Sequence, residues 1–149
     1  MRRAYLLASI AAGAVALFTT VQVTAAVRQD RKIETFKHRL ADLTFCRTGF
    51  EIASSRPHYM ARFAKNPEVK AELIHESDVL EAKKDQMDQL ISDHIKEGDD
   101  LDLDTTELTL FIEMIQREAE QKAVHVAGWV EKPEVFLDHI TEVSDNYLN

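Results

Sequence analysis

Hydrophobic positions along this chain form one long uncharged run followed by several amphipathic stripes. From Ala4 to Val27 no residue is charged, and only Ser9, Thr19, Thr20, Gln22 and Thr24 are clearly polar. That run of 24 residues is long enough to cross a hydrocarbon core, which needs about 20 helical residues. Leu6, Leu7, Ile10, Val15, Leu17, Phe18, Val21 and Val23 are its lipid-facing candidates, while its richness in Ala weakens insertion relative to its length.

After Val27 the pattern becomes periodic. Ile33, Phe36, Leu40, Leu43 and Phe50 lie 3, 4, 3 and 7 residues apart, with Arg47 where one apolar position is missing. This is a short coiled-coil-like seam, and it is expected to face either a partner helix or the rest of its own chain. Ser54 or Ser55 before Pro57 predicts a helix boundary, and Asn66-Pro67-Glu68 predicts another. The next helix is expected over Pro67 to Glu97, ended by Gly98 as a C′ residue, with a stripe of Val69, Leu73, Leu80, Met87, Ile91 and Ile95.

A further helix should start after Asp104 or Thr105, with Glu107 in its first turn. Leu108, Phe111, Ile112, Ile115, Ala119, Ala123 and Val126 give it the cleanest 3.6-residue face in the chain. A last helix follows Pro133, with Phe136, Ile140, Val143 and Tyr147 on one side. No alternating strand pattern competes, and only four Gly and three Pro occur, which favours long helices over a turn-rich β fold. The expected fold is all-α: an N-terminal apolar helix continuing into a small helical bundle whose first helix is coiled-coil-like. Three regions follow: residues 1–27 as signal anchor or signal peptide, 28–55 as a basic amphipathic juxtamembrane helix, and 56–149 as an acidic helical bundle.

Charge sharpens this division. Residues 1–27 carry a net +2, residues 28–70 a net +5 and residues 71–149 a net −15, within a total of −8. Arg28, Arg31 and Lys32 form a basic collar beside the apolar run, suited to anionic headgroups. The acidic remainder would be repelled by nucleic acid, so no nucleic-acid partner is expected. Arg2 and Arg3 before the run, and small residues near Ala25 and Ala26, also fit a cleavable leader. The favoured reading is a retained anchor with an extracytoplasmic or periplasmic body. Secretion after cleavage, as a soluble helical module that binds a protein or an apolar ligand, is the alternative, and the Lys/Arg count after the run leaves a cytoplasmic body open. This layout resembles that of envelope tether proteins such as phage inner-membrane spanins, a likeness of layout carried by no motif.

Candidate chemistry adds little. Asp100, Asp102 and Asp104 match the first three ligand positions of a calcium loop, but Thr105 and Phe111 stand where its Gly and closing Glu belong. "HESDV" lacks the second His of a zinc-protease helix, and "ELIH" is a single Glu-x-x-His where a di-iron bundle needs two. No P-loop, dinucleotide or nucleophile-elbow motif occurs. No catalytic, metal or cofactor site is expected, and the chain reads as a non-enzymatic interaction protein acting through a protein partner or self-association; an unrecognised helical enzyme is the remote alternative. The lone Cys46 is either a buried thiol or an interchain bridge on the seam. Trp129 is either a core or hinge ring, or an anchor in a partner's pocket.

Overall fold

The computed structural model describes the backbone of residues 2–125 and 133–148 and the side chains of residues 26–123 and 134–148. Among the described residues there are four α-helices and no strand: α1 Arg2–Ala61, α2 Pro67–Glu97, α3 Thr105–His125 and α4 Pro133–Leu148, with a 3-10 turn at Asp99–Leu101. Val126 and Trp129 lie outside them. The chain divides into two compact units, Met1–Phe36 and Lys37–Asn149. In the first, Arg28, Arg31 and Lys32 are exposed, and Thr35 Oγ1 donates to the Arg31 carbonyl at 2.9 Å.

Side-chain pairs define the second unit as an up-down-up-down bundle. Ser54 meets Ser77, and Arg47 meets Asp88, so α2 runs antiparallel to α1. Lys37 pairs with Glu107, and Lys122 sits over the Phe45 ring at 5.2 Å, so α3 runs parallel to it. Phe45 meets Phe136 and Asp42 meets Tyr147, so α4 runs back again. Consecutive antiparallel helices joined by short turns are the simplest bundle topology.

α1 is the core of this bundle. Between Leu43 and Phe50 only Phe45 and Arg47 escape full burial, because neighbours cover nearly every side of the helix. Gly49 permits one close approach. A Cβ there would lie 2.8 Å from Ile140 Cγ2 and 3.3 Å from Phe136 Cζ, so the missing side chain lets α4 seat against α1.

The break expected at Ser54 to Pro57 does not occur: α1 runs on to Ala61 with Pro57 inside it. The boundary expected between residues 55 and 56 therefore falls within a helix. Both serines turn inward to their own helix instead of capping a new one. Ser54 Oγ donates to the Glu51 carbonyl at 3.0 Å and Ser55 Oγ to the Ile52 carbonyl at 2.6 Å. Pro57 offers no N–H to the Ala53 carbonyl four residues back. One residue on, the Ser54 carbonyl accepts from Ser77 Oγ of α2 at 3.0 Å, and this bond and the burial of Pro57 hold the turn in place.

α2 keeps its expected ends. Asn66 Oδ1 accepts from the Glu68 amide at 2.9 Å, with Pro67 at the first helical position. Gly98 ends the helix, but with φ −83° and ψ −4° it is right-handed, not the left-handed C′ residue expected. Its amide still bonds back to His94 and Ile95, and the chain passes through the 3-10 turn to Asp102, the residue that takes φ 53°. The buried residues of α2 are Ser77, Leu80, Met87 and His94. Their 3, 7 and 7 spacing follows a 3.5-residue seam, so the polar Ser77 and His94 are interior while Val69 of the expected stripe is 44% exposed.

Asp104 is the cap of α3, its Oδ1 accepting from the Thr106 amide at 2.6 Å. These backbone bonds hold its carboxyl below the usual range. The predicted α3 face is correct through Ala123, with Ile115, Ala119 and Ala123 buried. On α4, Phe136 and Ile140 are buried, and Val143 and Tyr147 are half-buried on the same side.

Candidate functional site

The residues expected to face a partner are mostly interior. Leu40, Leu43 and Phe50 are fully buried, Phe36 is 5% exposed, and Ile33 is half-buried. From Leu40 to Phe50 the seam is thus taken up by the bundle's own core, which corrects that part of its reading as a partner-facing stripe. The reason is coverage: Leu43 and Phe50 belong to one cluster with Leu80 and Met87 of α2, Ala123 of α3, and Phe136 and Ile140 of α4.

Cys46 belongs to that cluster too, with no exposed surface. Its thiol donates to the Ile140 carbonyl at 3.5 Å. Burial, aided by the nearby Asp42 carboxylate, pushes the thiol up to about 12. A bridge to a second chain needs an accessible thiolate, so Cys46 is a core residue and not an interchain thiol. The anchor candidates Leu6, Leu7, Ile10, Val15, Leu17, Phe18, Val21 and Val23 lie outside the residues whose side chains are described. Among the described residues, no helix is long and apolar enough to cross a membrane.

Two constellations emerge that sequence reasoning missed. The first is polar and centred on Asp42, at the seam between α1 and α4. Asp42 Oδ2 accepts from the Tyr147 hydroxyl at 2.5 Å and lies 3.4 Å from His38 Nδ1. The Arg39 guanidinium sits over the Tyr147 ring at 5.8 Å. Burial and the bond to Asp42 push the Tyr147 phenol up to about 12. With the phenol held neutral and the thiol one turn away also held neutral, neither group is an activated nucleophile. The arrangement fastens the end of α4 to α1.

The second constellation is the tip formed by the last turn of α1 and the turn into α2. Tyr59 is 62% exposed and Phe63 67%, with their rings 5.0 Å apart and Met60 exposed beside them. Arg62 Nη2 lies 3.4 Å from His58 Nε2. Below them is a cleft of about 370 Å³ lined by Ser54, Ser55, His58, Arg62, Ser77 and Glu81. The three serine hydroxyls already donate to main-chain carbonyls, so only their lone pairs face the cleft. Proximity of Tyr, Phe and Arg around Pro57 was the available signal, but the expected helix break hid it.

Among the described residues no group of three or more His, Cys, Asp or Glu side chains is placed to hold a metal ion, Asp100, Asp102 and Asp104 included. No protein family, curated protein or solved structure matches this chain.

Proposed function

We propose that this protein is a non-enzymatic interaction protein of the cell envelope, held at a membrane by residues 4–27 and presenting its helical bundle outside the cytoplasm. The observation that carries the reading is the 24-residue uncharged run directly followed by a basic collar. Arg28, Arg31 and Lys32 of that collar are solvent-exposed, where cations beside a bilayer gain from anionic headgroups. A non-catalytic bundle is supported by the placement of its reactive groups: Cys46 is interior, and the Asp42–Tyr147 contact ties two helices together. The partner is reached through the bundle surface, since the Leu40–Phe50 seam is occupied.

The test is the mature N-terminus read by intact mass, together with alkaline carbonate extraction. A chain that keeps Met1 and stays in the membrane pellet supports the anchor. Soluble protein beginning at Ala26 or Val27 would overturn it in favour of an exported, freely diffusing module.

A further inference from the structure

Among the described residues of the bundle, the cations without an ion-pair partner collect, Arg117 apart, at one place. Lys37, Arg39, Arg47, Lys84, Lys96 and Lys122 each have a carboxylate partner, and Lys83 lies over the Phe50 ring at 5.4 Å. Arg56, Arg62, Lys65 and Lys70 have no ion-pair partner among the described residues, and apart from them only Arg117 is left. Residues 56–70 hold these four cations against the single acid Glu68, in a chain of net charge −8. At the same turn stand Tyr59, Met60 and Phe63, all exposed. Glu76 and Glu134 line a small cleft beside Arg56, and Glu81 lines the one beside Arg62, but neither arginine forms an ion pair with them, so all four cations stay available.

We propose that the α1–α2 tip is a membrane-docking site for an anionic bilayer surface, separate from the 4–27 run. Unpaired cations and exposed rings on one turn are what such a surface takes up. Phe63 and Met60 enter the boundary between headgroups and acyl chains. Tyr59 stays at headgroup level, and the Arg and Lys stems lie along the apolar layer with their charges in the headgroups. A peptide of acidic residues alone would match the cations and leave the ring cluster in water; an anionic bilayer answers both. The proposal extends the anchored reading but rests on different residues.

The full chain is incorporated into zwitterionic phosphatidylcholine vesicles, so that these donors carry no anionic lipid. Fluorescent acceptor vesicles of phosphatidylcholine alone, or with about a third phosphatidylglycerol, are then added, and their retention on immobilised donors is measured. Wild-type protein is expected to retain the anionic acceptors at least tenfold better than the zwitterionic ones. Tyr59→Ser with Phe63→Ser, or Arg62→Glu with Lys65→Glu, should each remove most of that retention at unchanged helical content, while Arg117→Glu should not. Retention that is absent, equal on the two compositions, or unchanged in both paired variants overturns the proposal. Failure of the anchor is read separately, as protein extracted from the donors by carbonate. In that event the same acceptors are offered to the free chain by flotation, with the same outcomes deciding.

Discussion

Tyr147 donates its phenolic hydroxyl to Oδ2 of Asp42 at 2.5 Å, closing a contact between residues 105 positions apart. Asp42 lies on the central helix and Tyr147 in the final turn of the last, so this bond holds the end of α4 against the core helix. A hydrogen bond to a charged acceptor contributes about 1.5–3 kcal/mol when well shielded. Asp42 is about one-third exposed, so a value near 1 kcal/mol is expected here. Tyr147→Phe should cost that much in denaturant unfolding and increase hydrogen exchange in the last turns of α4 more than elsewhere.

The same bond has a pH signature. Tyr147 is pushed up to about 12 from 10.0, so the folded state keeps the phenol neutral where the unfolded state ionises it. Its stabilisation is complete below pH 10 and is lost as pH rises from 10 to 12. Unfolding free energy measured by urea titration should fall across that window in the wild type. In Tyr147→Phe the fall should be shallower.

Cys46 acts in a neighbouring window. Its thiol is pushed up from 9.0 to about 12 by burial first and by Asp42 second. Folding therefore favours the neutral thiol, and stability is lost as pH climbs from 9 towards 12. At pH 8 the native protein should react with iodoacetamide or a disulfide reagent only through opening, orders of magnitude slower than the urea-unfolded chain. Stoichiometric labelling of the native chain at the rate of a free thiol would contradict the buried placement, and so would a disulfide-linked dimer under mild oxidation.

Gly49 tests how closely α4 is seated. A methyl group there meets Ile140 Cγ2 at 2.8 Å and Cδ1 at 3.0 Å, atoms of a fully buried side chain with little room to turn. Overpacking of this kind costs about 1–3 kcal/mol, against a helix-propensity gain of about 1 kcal/mol for replacing a mid-helix glycine. Gly49→Ala should be destabilising on balance, and Gly49→Val more so. Ile140→Ala removes both close atoms, so the double variant should be more stable than the sum of the two single losses implies. Strict additivity in that cycle would show that the approach is not close.

Where local rules and tertiary packing agree, the fold could be read from the chain. Asn66-Pro67, Asp104 and Pro133 mark helix starts that the structure keeps, because caps and first-turn prolines act over three or four residues. Pro57 misled because its neighbours offer a cap that is never used; a hydrogen bond from Ser77, 23 residues away, helps hold that turn in the helix. The buried Ser77 and His94 were missed for a related reason. A search for apolar stripes passes over polar residues, although a 3.5-residue seam takes whatever stands at its positions. The Asp42 cluster leaves no local spacing signal, and the aromatic and basic residues near Pro57 stand out only once the turn is placed. The cluster joins residues 105 positions apart, and the tip is defined by which cations lack partners once the rest have folded onto theirs.

Thr44 and Thr48 measure the cost of polar atoms inside this core. They are 1% and 4% exposed on α1, and neither Oγ1 has a hydrogen-bond partner among the described residues. A hydroxyl buried without a partner loses its water and gains nothing in return, at a cost of about 1–3 kcal/mol. Valine has nearly the same shape and is also β-branched, so helix propensity changes little. Thr44→Val and Thr48→Val should therefore each stabilise the bundle, by about 1 kcal/mol, visible as a higher urea midpoint at unchanged slope. Thr→Ser at the same positions keeps the hydroxyl and deletes the methyl, and should destabilise. If both valine variants are instead less stable than wild type, the hydroxyls do have partners, and the packing around the middle of α1 is not as described.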